Sequence, residues 1–377
     1  MIYLDNAATS FPKPKESIEN LNRFVTEIGG NPGRSGHTLS LEAARVIFDA
    51  REKLTAFIGG VDSERLIFTS NGTDSLNLAI LGLLNHGDHA ITTSMEHNSV
   101  MRPLMFLTQH RGVELSVVQC GSSGYLDADE LKRAVRKNTK AVVVNHGSNV
   151  IGSVQSVGAV KEAVGDIIVI VDACQTIGSL PIDIGKDNID IICFSCHKSL
   201  YALQGVGAMY IRKGLELTPL KFGGTGSKSE SVEHPEFLPD KYECGTPNTP
   251  GIASLLGGLS FIDREGLPRI YQRKQAIREK VFRGLSAIDG VNVYGDKGAK
   301  SSLPVISFNI EGRLPSQVGY ALNQQHIYVR VGLQCAPVAH KTIGTFPQGT
   351  VRVSPGYFTS DEEIDTFLGA VKDIAEQ

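Results

Sequence analysis

The sequence predicts an α/β fold in which a large domain with a mainly parallel sheet between helices is joined to a smaller α+β domain. Six short apolar segments between residues 65 and 195 have the length of buried strands, and helical segments fill most of the gaps between them. Fully apolar strands that alternate with helices form parallel sheets covered on both faces. After residue 250 the pattern changes, and a chain of 377 residues is long enough for two domains.

The predicted elements can be followed along the chain. Apolar residues at i, i+3, i+4 and i+7 spacing over residues 43–58 predict a long amphipathic helix. The predicted strands are RLIFTS (65–70), HAITTS (89–94), VELSVVQ (113–119), KAVVVNH (140–146), IIVIVDA (167–173) and IDIICFS (189–195). Beyond them come a helical stretch to about residue 286, the short strands VNVY, LPVISFNI and TVRVS, and helices at about 315–325 and 360–376.

The domain boundaries are predicted from this change of pattern. The large domain spans residues 15–250, and the smaller domain combines residues 1–14 with residues 251–377. Pro12 and Pro14 precede a new helix, so we expect the first dozen residues to pack against the smaller domain instead of starting the main sheet.

Composition excludes several classes of function. The formal charge of −3 provides no basic field for nucleic acid, and the longest apolar runs are far shorter than a membrane span. The start MIYLDNAATS lacks the charged and apolar regions of a signal peptide, which predicts a cytoplasmic protein. The six cysteines are expected to be free thiols. Cys193 and Cys196 form a single C-x-x-C within an apolar strand, so packing is favoured over a zinc or redox role, and no metal site is expected.

Polar residues follow five of the predicted strands where each ends. Gly72 and Thr73 begin a helix and offer N–H groups and a hydroxyl to an anion such as phosphate, although an ordinary Asn-Gly turn explains them equally well. The other four strand ends carry His97, Asn149, Asp172 with Gln175, and Lys198. Ligands bind at the carboxyl ends of parallel strands. The polar residues at all five strand ends therefore predict a binding site together, although none of them would predict it alone.

The combination of a lysine amine, a carboxylate, an imidazole and a phosphate cup is what pyridoxal phosphate requires. The amine of Lys198 would form a Schiff base, and the carboxylate of Asp172 would keep the pyridine nitrogen protonated, so that the ring acts as an electron sink. For Lys198 alone, the simpler explanation is that a charged residue solvates the end of a strand.

The sequence resembles a known family along essentially its entire length. The matching stretches are YLDNAATS (3–10), NPGRSGHTLS (31–40), MEHNS (95–99), SNVIGS (148–153), VDACQTIG (171–178), FSCHK (194–198), CGTPNTPG (244–251) and VRVGLQCAP (329–337). They resemble the class V branch of fold-type I pyridoxal phosphate enzymes, and within it the cysteine desulfurases. The resemblance implies a fold-type I homodimer that binds pyridoxal 5′-phosphate.

Residue roles follow from the resemblance only. Lys198 is expected to hold the cofactor and act in catalysis, Asp172 to face the pyridine nitrogen, Gln175 to lie near the ring hydroxyl, and His97 to stack on the ring. The phosphate contacts would come from Thr73, Ser195 and His197, with Thr246 reaching in from the other subunit and Gly72 at the helix start. Asn149 would lie beside cofactor and substrate, and Arg330 and Arg352 are the predicted substrate contacts, because a guanidinium matches a carboxylate in two hydrogen bonds.

Cys335 separates a desulfurase from its relatives. In RVGLQCAP it occupies the family's nucleophile position, so the resemblance implies that L-cysteine becomes L-alanine and leaves a persulfide on Cys335. The short loop resembles the branch that donates sulfur to a specific acceptor protein. The alternatives are an incidental cysteine in a class V aminotransferase, a selenocysteine lyase acting on L-selenocysteine, and a sulfur-carrier protein with little turnover alone.

The segment after the predicted lysine departs from the family pattern. Cys196 stands where the family has Gly, and Ala202 and Leu203 stand where it has Gly-Pro. One additional residue lies between Lys198 and Gly205. These differences concern the branch of the family and the access to the site, not the cofactor.

Overall fold

Thirteen strands lie within the residues that the computed structural model describes, namely 1–33, 35–228, 230–296 and 302–377. Arg34, in the NPGRSGHTLS stretch, lies outside those residues. The strands are β1 (Ile2–Tyr3), β2 (Leu66–Thr69), β3 (His89–Thr93), β4 (Glu114–Val118), β5 (Thr139–Asn145), β6 (Ile168–Asp172), β7 (Ile191–Ser195), β8 (Gly207–Ile211), β9 (Val291–Tyr294), β10 (Ile306–Ile310), β11 (Ile327–Tyr328), β12 (Arg330–Gly332) and β13 (Thr350–Val353).

The helices of the described residues are α1 (Lys15–Arg23), α2 (Thr38–Phe57), α3 (Gly72–Leu83), α4 (Asn98–Arg111), α5 (Ala128–Ala134), α6 (Val157–Val164), α7 (Thr249–Glu265), α8 (Leu267–Ser286), α9 (Pro315–Gln324), α10 (Pro337–Thr342) and α11 (Asp361–Glu376). The long helical stretch predicted after residue 250 is two helices, because Gly266 separates them with a φ of 81°. Within the described ranges, no helix has the length and apolar character needed to cross a membrane.

The main sheet contains seven strands in the order β2-β8-β7-β6-β5-β3-β4. The six predicted strands are all present and run in one direction, which confirms the mainly parallel sheet. The seventh strand, β8, was not predicted and is antiparallel to both of its neighbours. Register places Asn145, Asp172 and Cys193 side by side, so the carboxyl ends of β5, β6 and β7 meet at one edge.

Helices cover both faces of this sheet. Alternate residues of β7 face opposite sides, with Ile192 and Phe194 in one apolar cluster and Ile191 and Cys193 in the other. This arrangement explains why the central strands are apolar throughout, since neither face meets water.

A second sheet, with strand order β12-β13-β10-β9, carries the smaller α+β region, as predicted. Its apolar core includes residues from α8, α9 and α11 together with Leu4. Strand β1 pairs in parallel with β11, and Asp5 bridges to Ser354, so the chain start joins this region. Helix α7 packs instead with the core of the main sheet. The predicted boundary after residue 250 therefore stays a prediction, and this packing favours a later division, near Gly266.

Candidate active site

A cavity lies at the carboxyl ends of β5, β6 and β7. Seven of the predicted site residues line it, and four further residues complete its wall. The predicted residues are Thr73, His97, Asn149, Asp172, Gln175, Ser195 and Lys198, and the others are Ser99, Asn145, Gly147 and Cys174. The topology thus brings together side chains that are separated by more than a hundred residues in the sequence.

Lys198 stands in the turn that follows β7. The N–H of Tyr201 donates to the carbonyl of Lys198 at 3.0 Å, and the N–H of Ala202 donates to the carbonyl of Cys196 at 3.0 Å. These two bonds reverse the chain directly after the strand. The half-buried amine of Lys198 lines the cavity as a result.

Asp172 is the last residue of β6 and is 5% exposed. Its Oδ1 accepts a hydrogen bond from the N–H of Cys174 at 2.9 Å, which fixes the carboxylate at the strand end. Gln175 follows in the same loop, where its Nε2 donates to the carbonyl of Ala7 at 3.0 Å. A buried carboxylate without full compensation favours a cationic partner such as a protonated pyridine nitrogen.

His97 forms the N-cap of α4, with its ring in the cavity. Its Nδ1 accepts from the N–H of Ser99 at 3.0 Å, so a neutral ring carries its proton on Nε2. Burial lowers the pKa of His97 to about 4, with Lys198 and Arg330 acting in the same direction and Asp172 opposing them. The imidazole is therefore neutral at pH 7, which suits stacking on an aromatic cofactor.

The start of α3 forms the end of the cavity that is suited to phosphate. The N–H of Gly72 donates to the Oγ of Ser195 at 3.1 Å, and a Cβ at Gly72 would lie 2.4 Å from the Sγ of Cys174. Only glycine therefore permits the helix start to approach β7 this closely. Thr73 lines the cavity beside it, where the helix dipole favours negative charge.

Of the predicted phosphate contacts, Gly72, His197 and Thr246 are not among the residues that line this cavity. The Nδ1 of His197 is 3.0 Å from the Oγ1 of Thr9, and burial together with Lys198 and Lys13 lowers the pKa of His197 to about 4. Thr246 is exposed and lines a separate surface depression. That position agrees with the expectation that Thr246 serves the second subunit, which stays a prediction.

The donor set of this cavity fits pyridoxal phosphate. One cavity contains a lysine amine, a buried carboxylate, a neutral imidazole and the start of a helix. Lys198 would hold the aldehyde carbon, Asp172 the ring nitrogen, and Thr73 with Ser195 the phosphate, which is the division of roles that the cofactor demands.

Arg352, the predicted carboxylate ligand, is 2% exposed and already has two partners. Its Nη2 lies 2.7 Å from the Oδ1 of Asp5, and its Nη1 donates to the carbonyl of Asn149 at 3.0 Å. The Nε is buried without a partner in the described part of the chain. A substrate carboxylate would have to share the guanidinium with Asp5, so the substrate role of Arg352 stays a prediction.

Cys335 lies in a groove that adjoins the cavity. The groove shares Thr73, His97 and Ser99 with the cavity wall, and Cys335 is exposed within it. The Nη2 of Arg330 lies 3.6 Å from the Sγ of Cys335. The guanidinium therefore places a positive charge and an N–H donor beside the sulfur.

A buried network fixes the loop that carries Cys335. Gln334, 3% exposed, donates from Nε2 to the carbonyl of Thr350 at 3.0 Å, and its Oε1 lies 2.7 Å from the Nε2 of His340. The Nδ2 of Asn149 donates to the carbonyl of Gln334 at 2.8 Å. Gln334 and Cys335 both have positive φ angles, of 42° and 57°, in a region that residues with side chains rarely adopt. The network therefore holds a strained turn in place.

Sequence reasoning missed several members of the site. Asn145 closes an apolar strand in the same way as Asp172, so the signal that identified Asp172 applies to it also. Cys174 and Ser99 lie within two residues of predicted members but had no distinctive pattern of their own. Cys193 and Cys196 are fully buried free thiols, as the packing interpretation expected.

Comparison with protein families gives a match across nearly the whole chain. The family model described as aminotransferase class-V matches residues 2–367. That range includes all the candidate site residues.

Individual relatives and solved structures agree with one another. A protein of Methanothermobacter thermautotrophicus named probable cysteine desulfurase is 32% identical over 383 residues, covering 99% of this chain and 94% of the relative. A probable cysteine desulfurase of Pyrococcus abyssi is 31% identical, and the match covers all of this chain and 94% of the relative. The solved apo structure of a cysteine desulfurase from Thermococcus onnurineus NA1 is similar to this chain with a TM-score of 0.93 at 32% identity. The match covers all of this chain and 94% of the chain in that structure.

Proposed function

The chain belongs to the class-V aminotransferase family, and from this premise we propose that it is a pyridoxal phosphate-dependent cysteine desulfurase. The reaction converts L-cysteine to L-alanine and leaves the sulfur as a persulfide on Cys335. The observation that carries the proposal is the position of Cys335, in a groove continuous with the Lys198 cavity and with Arg330 against its sulfur.

Pyridoxal phosphate, when bound, supplies an electron sink for negative charge that develops on the α-carbon of the substrate. The residues of this chain orient the reactants and move protons. Lys198 takes the α-proton and returns a proton to the product, while Asp172 provides the negative charge at the end of β6. The neutral ring of His97 forms one wall. Arg352 and Asn149 bind the substrate carboxylate.

The sulfur step takes place between the groove and the cavity. The thiolate of Cys335 attacks the substrate sulfur, so that a sulfur–sulfur bond forms as the bond between that sulfur and the β-carbon breaks. The β-carbon gains a proton and becomes the methyl group of alanine. The atoms balance without an external oxidant, because one thiol and L-cysteine give one persulfide and L-alanine.

The exposure of Cys335 supports transfer of the persulfide sulfur to a separate acceptor. The sulfur sits at the surface, while the backbone of its turn is fixed from below by Gln334. The acceptor must therefore bring its own nucleophile to the groove, since the short turn has little freedom to move outward.

The active form is a cytoplasmic homodimer in this proposal. Leu41 and Phe48 of α2 are 60% and 59% exposed, and Phe222 is 69% exposed, which is unusual for a free surface. Thr246 is exposed and lies apart from the Lys198 cavity, which supports a contact with the site of a second subunit. The six free cysteines fit a reducing compartment.

The experiment compares Cys335→Ser with the parent, using L-cysteine and dithiothreitol without a keto acid. We expect the variant to keep its bound cofactor and yellow colour but to lose roughly 100-fold or more in alanine and sulfide formation, because a hydroxyl is a poor nucleophile toward sulfur. Activity on L-selenocysteine should fall less, because selenium leaves carbon more readily. Cys244→Ser, at a half-buried thiol outside the groove, is the matched control. An unchanged rate in Cys335→Ser would make Cys335 a packing residue and favour an aminotransferase.

A further inference from the structure

A second cavity, the Lys274 cavity, lies directly behind the candidate active site. Lys274, Ser179, Ser199 and Tyr201 line it, and Pro304 and Pro355 lie among the other residues of its wall. Further polar side chains of the wall are those of Asn6, Ser10 and Ser354. Gln175 lines both this cavity and the one that contains Lys198. Ser199 directly follows Lys198 in the chain, so the two cavities share one turn as their common wall.

Lys274 is a buried cation whose polar partners are neutral. It lies on α8 and is 4% exposed. Its Nζ donates to the Oγ of Ser179 at 3.0 Å and to the Oγ of Ser199 at 3.1 Å, and it lies 6.0 Å from the centre of the Tyr201 ring. Among the described residues that line the cavity, none is acidic. A buried charge without an opposite charge is costly, which requires explanation.

The hydrogen bonds around Lys274 leave donors in excess. The hydroxyl of Ser179 donates to the Oγ of Ser199 at 2.7 Å, so this oxygen accepts from both Ser179 and Lys274. The proton of Ser199 and the third proton of Lys274 are then left without an acceptor in this group. The Oη of Tyr201 is buried and has no partner within the described residues. These donors belong to residues that line one cavity, and none of the described residues that line it supplies a negative charge.

We propose that the Lys274 cavity binds one small monovalent anion, such as chloride, between Lys274, Ser199 and Tyr201. A single anion would accept all three protons and compensate the ammonium charge. A water molecule would leave that charge uncompensated. Burial pulls the pKa of Lys274 down to about 8, so the ammonium form still predominates at neutral pH and attracts an anion. The anion would fix the turn after Lys198 from the side opposite the cofactor.

The test uses bromide and chloride as probes on the cofactor-loaded protein. Crystals grown in gluconate and soaked in sodium bromide should show an anomalous peak within hydrogen-bonding distance of the Nζ of Lys274. In solution, replacing gluconate with chloride at constant ionic strength should raise the Tm of the parent by about 2 °C, since a ligand of the native state alone stabilises it. Gluconate is too large for the cavity and provides the reference condition.

Two variants on the same helix separate the cavity from general salt effects. Lys274→Met removes the charge but keeps an extended side chain, and it should lose both the bromide peak and the chloride-dependent rise in Tm. Lys280→Met removes a cation whose Nζ pairs with Asp365 at the surface, and it should keep both. Bromide found only on the surface, a peak that survives in Lys274→Met, or equal chloride responses in the two variants would overturn the proposal.

Discussion

The loop that carries Cys335 should depend on Gln334, and Gln334→Ala tests that dependence. The side chain of Gln334 satisfies two buried groups, the carbonyl of Thr350 and the ring of His340. Burial lowers the pKa of His340 to about 4, so its neutral ring donates from Nε2 to Gln334 and accepts the Thr345 hydroxyl at Nδ1. Truncation leaves the Thr350 carbonyl and the Nε2 proton of His340 without partners.

The expected cost follows from these two groups. An unsatisfied buried polar group costs about 1–3 kcal/mol, so the free energy of unfolding should fall by about 2–4 kcal/mol, allowing for some water entry. The positive φ angles of Gln334 and Cys335 cost on the order of 1 kcal/mol each and are no longer enforced. The turn should therefore relax, and the sulfur of Cys335 should leave the position that Arg330 and the groove define.

The assay separates the loop from the cofactor site. Gln334→Ala should keep its cofactor absorption but form alanine and sulfide from L-cysteine at least about 10-fold more slowly, with the loss mainly in kcat, because the displaced sulfur of Cys335 acts in the step that follows substrate binding. Thermal unfolding measures the stability loss, and Gln325→Ala, at an exposed position after α9, is the control. A Gln334→Ala protein with parental stability and parental kcat would show that Gln334 does not hold the Cys335 loop in place.

Three further predictions concern the cofactor, the assembly and pH. Lys198→Ala should lose the yellow colour and all turnover, because no other described lysine lines the cavity; an unchanged visible spectrum would contradict the assignment. Light scattering should give a dimer, and a monomer that holds cofactor at full occupancy would exclude the shared site. Stability should fall as pH drops from about 6.5 toward 4, because burial lowers the pKa of His97, His146, His197 and His340 to about 4, so the unfolded chain binds more protons in that window. Burial raises the pKa of Glu96 to about 8, so this carboxyl opposes the trend, but it is one group against four histidines. Urea unfolding at pH 7, 6 and 5 measures the free energy of unfolding, and no decrease across this range would contradict the prediction.

The main sheet was predictable because its signal is local. Each of the six predicted strands is an apolar run bounded by polar or turn residues, and burial on both faces makes that run continuous. Strand β8 was missed because Gly205 and Gly207 look like loop residues. Gly207 in fact lies where a Cβ would be 2.4 Å from the backbone of Asn71, so the glycine permits close approach of the strand to a neighbouring turn.

Site residues that directly follow an apolar strand could be predicted from the sequence. Contacts between residues far apart in the sequence could not, because they depend on how the chain folds. Asp172 and Lys198 follow apolar runs directly, and their residue types match the chemistry. The pairing of Arg352 with Asp5 joins positions 347 residues apart, and nothing in either local pattern indicates it. The same is true of Gln334, whose partners lie on α10 and β13 and become neighbours only when the smaller sheet has formed.

The segment between Lys198 and Gly205 shows how an atypical sequence can preserve a site while changing what lies behind it. Tyr201 has a φ of 59°, a costly conformation for a bulky residue, but its ring is 3% exposed and packs edge-on against Phe261 at 5.2 Å. The N–H of Leu203 donates to the Oγ of Ser254 at 2.9 Å, a bond that the family's proline could not make. The chain is therefore anchored on the side away from the cofactor cavity, and Tyr201 becomes part of the Lys274 cavity. Because Lys198 lies before these changes and still lines the same space as Asp172, divergence in this segment should alter the Lys274 cavity first and the chemistry last.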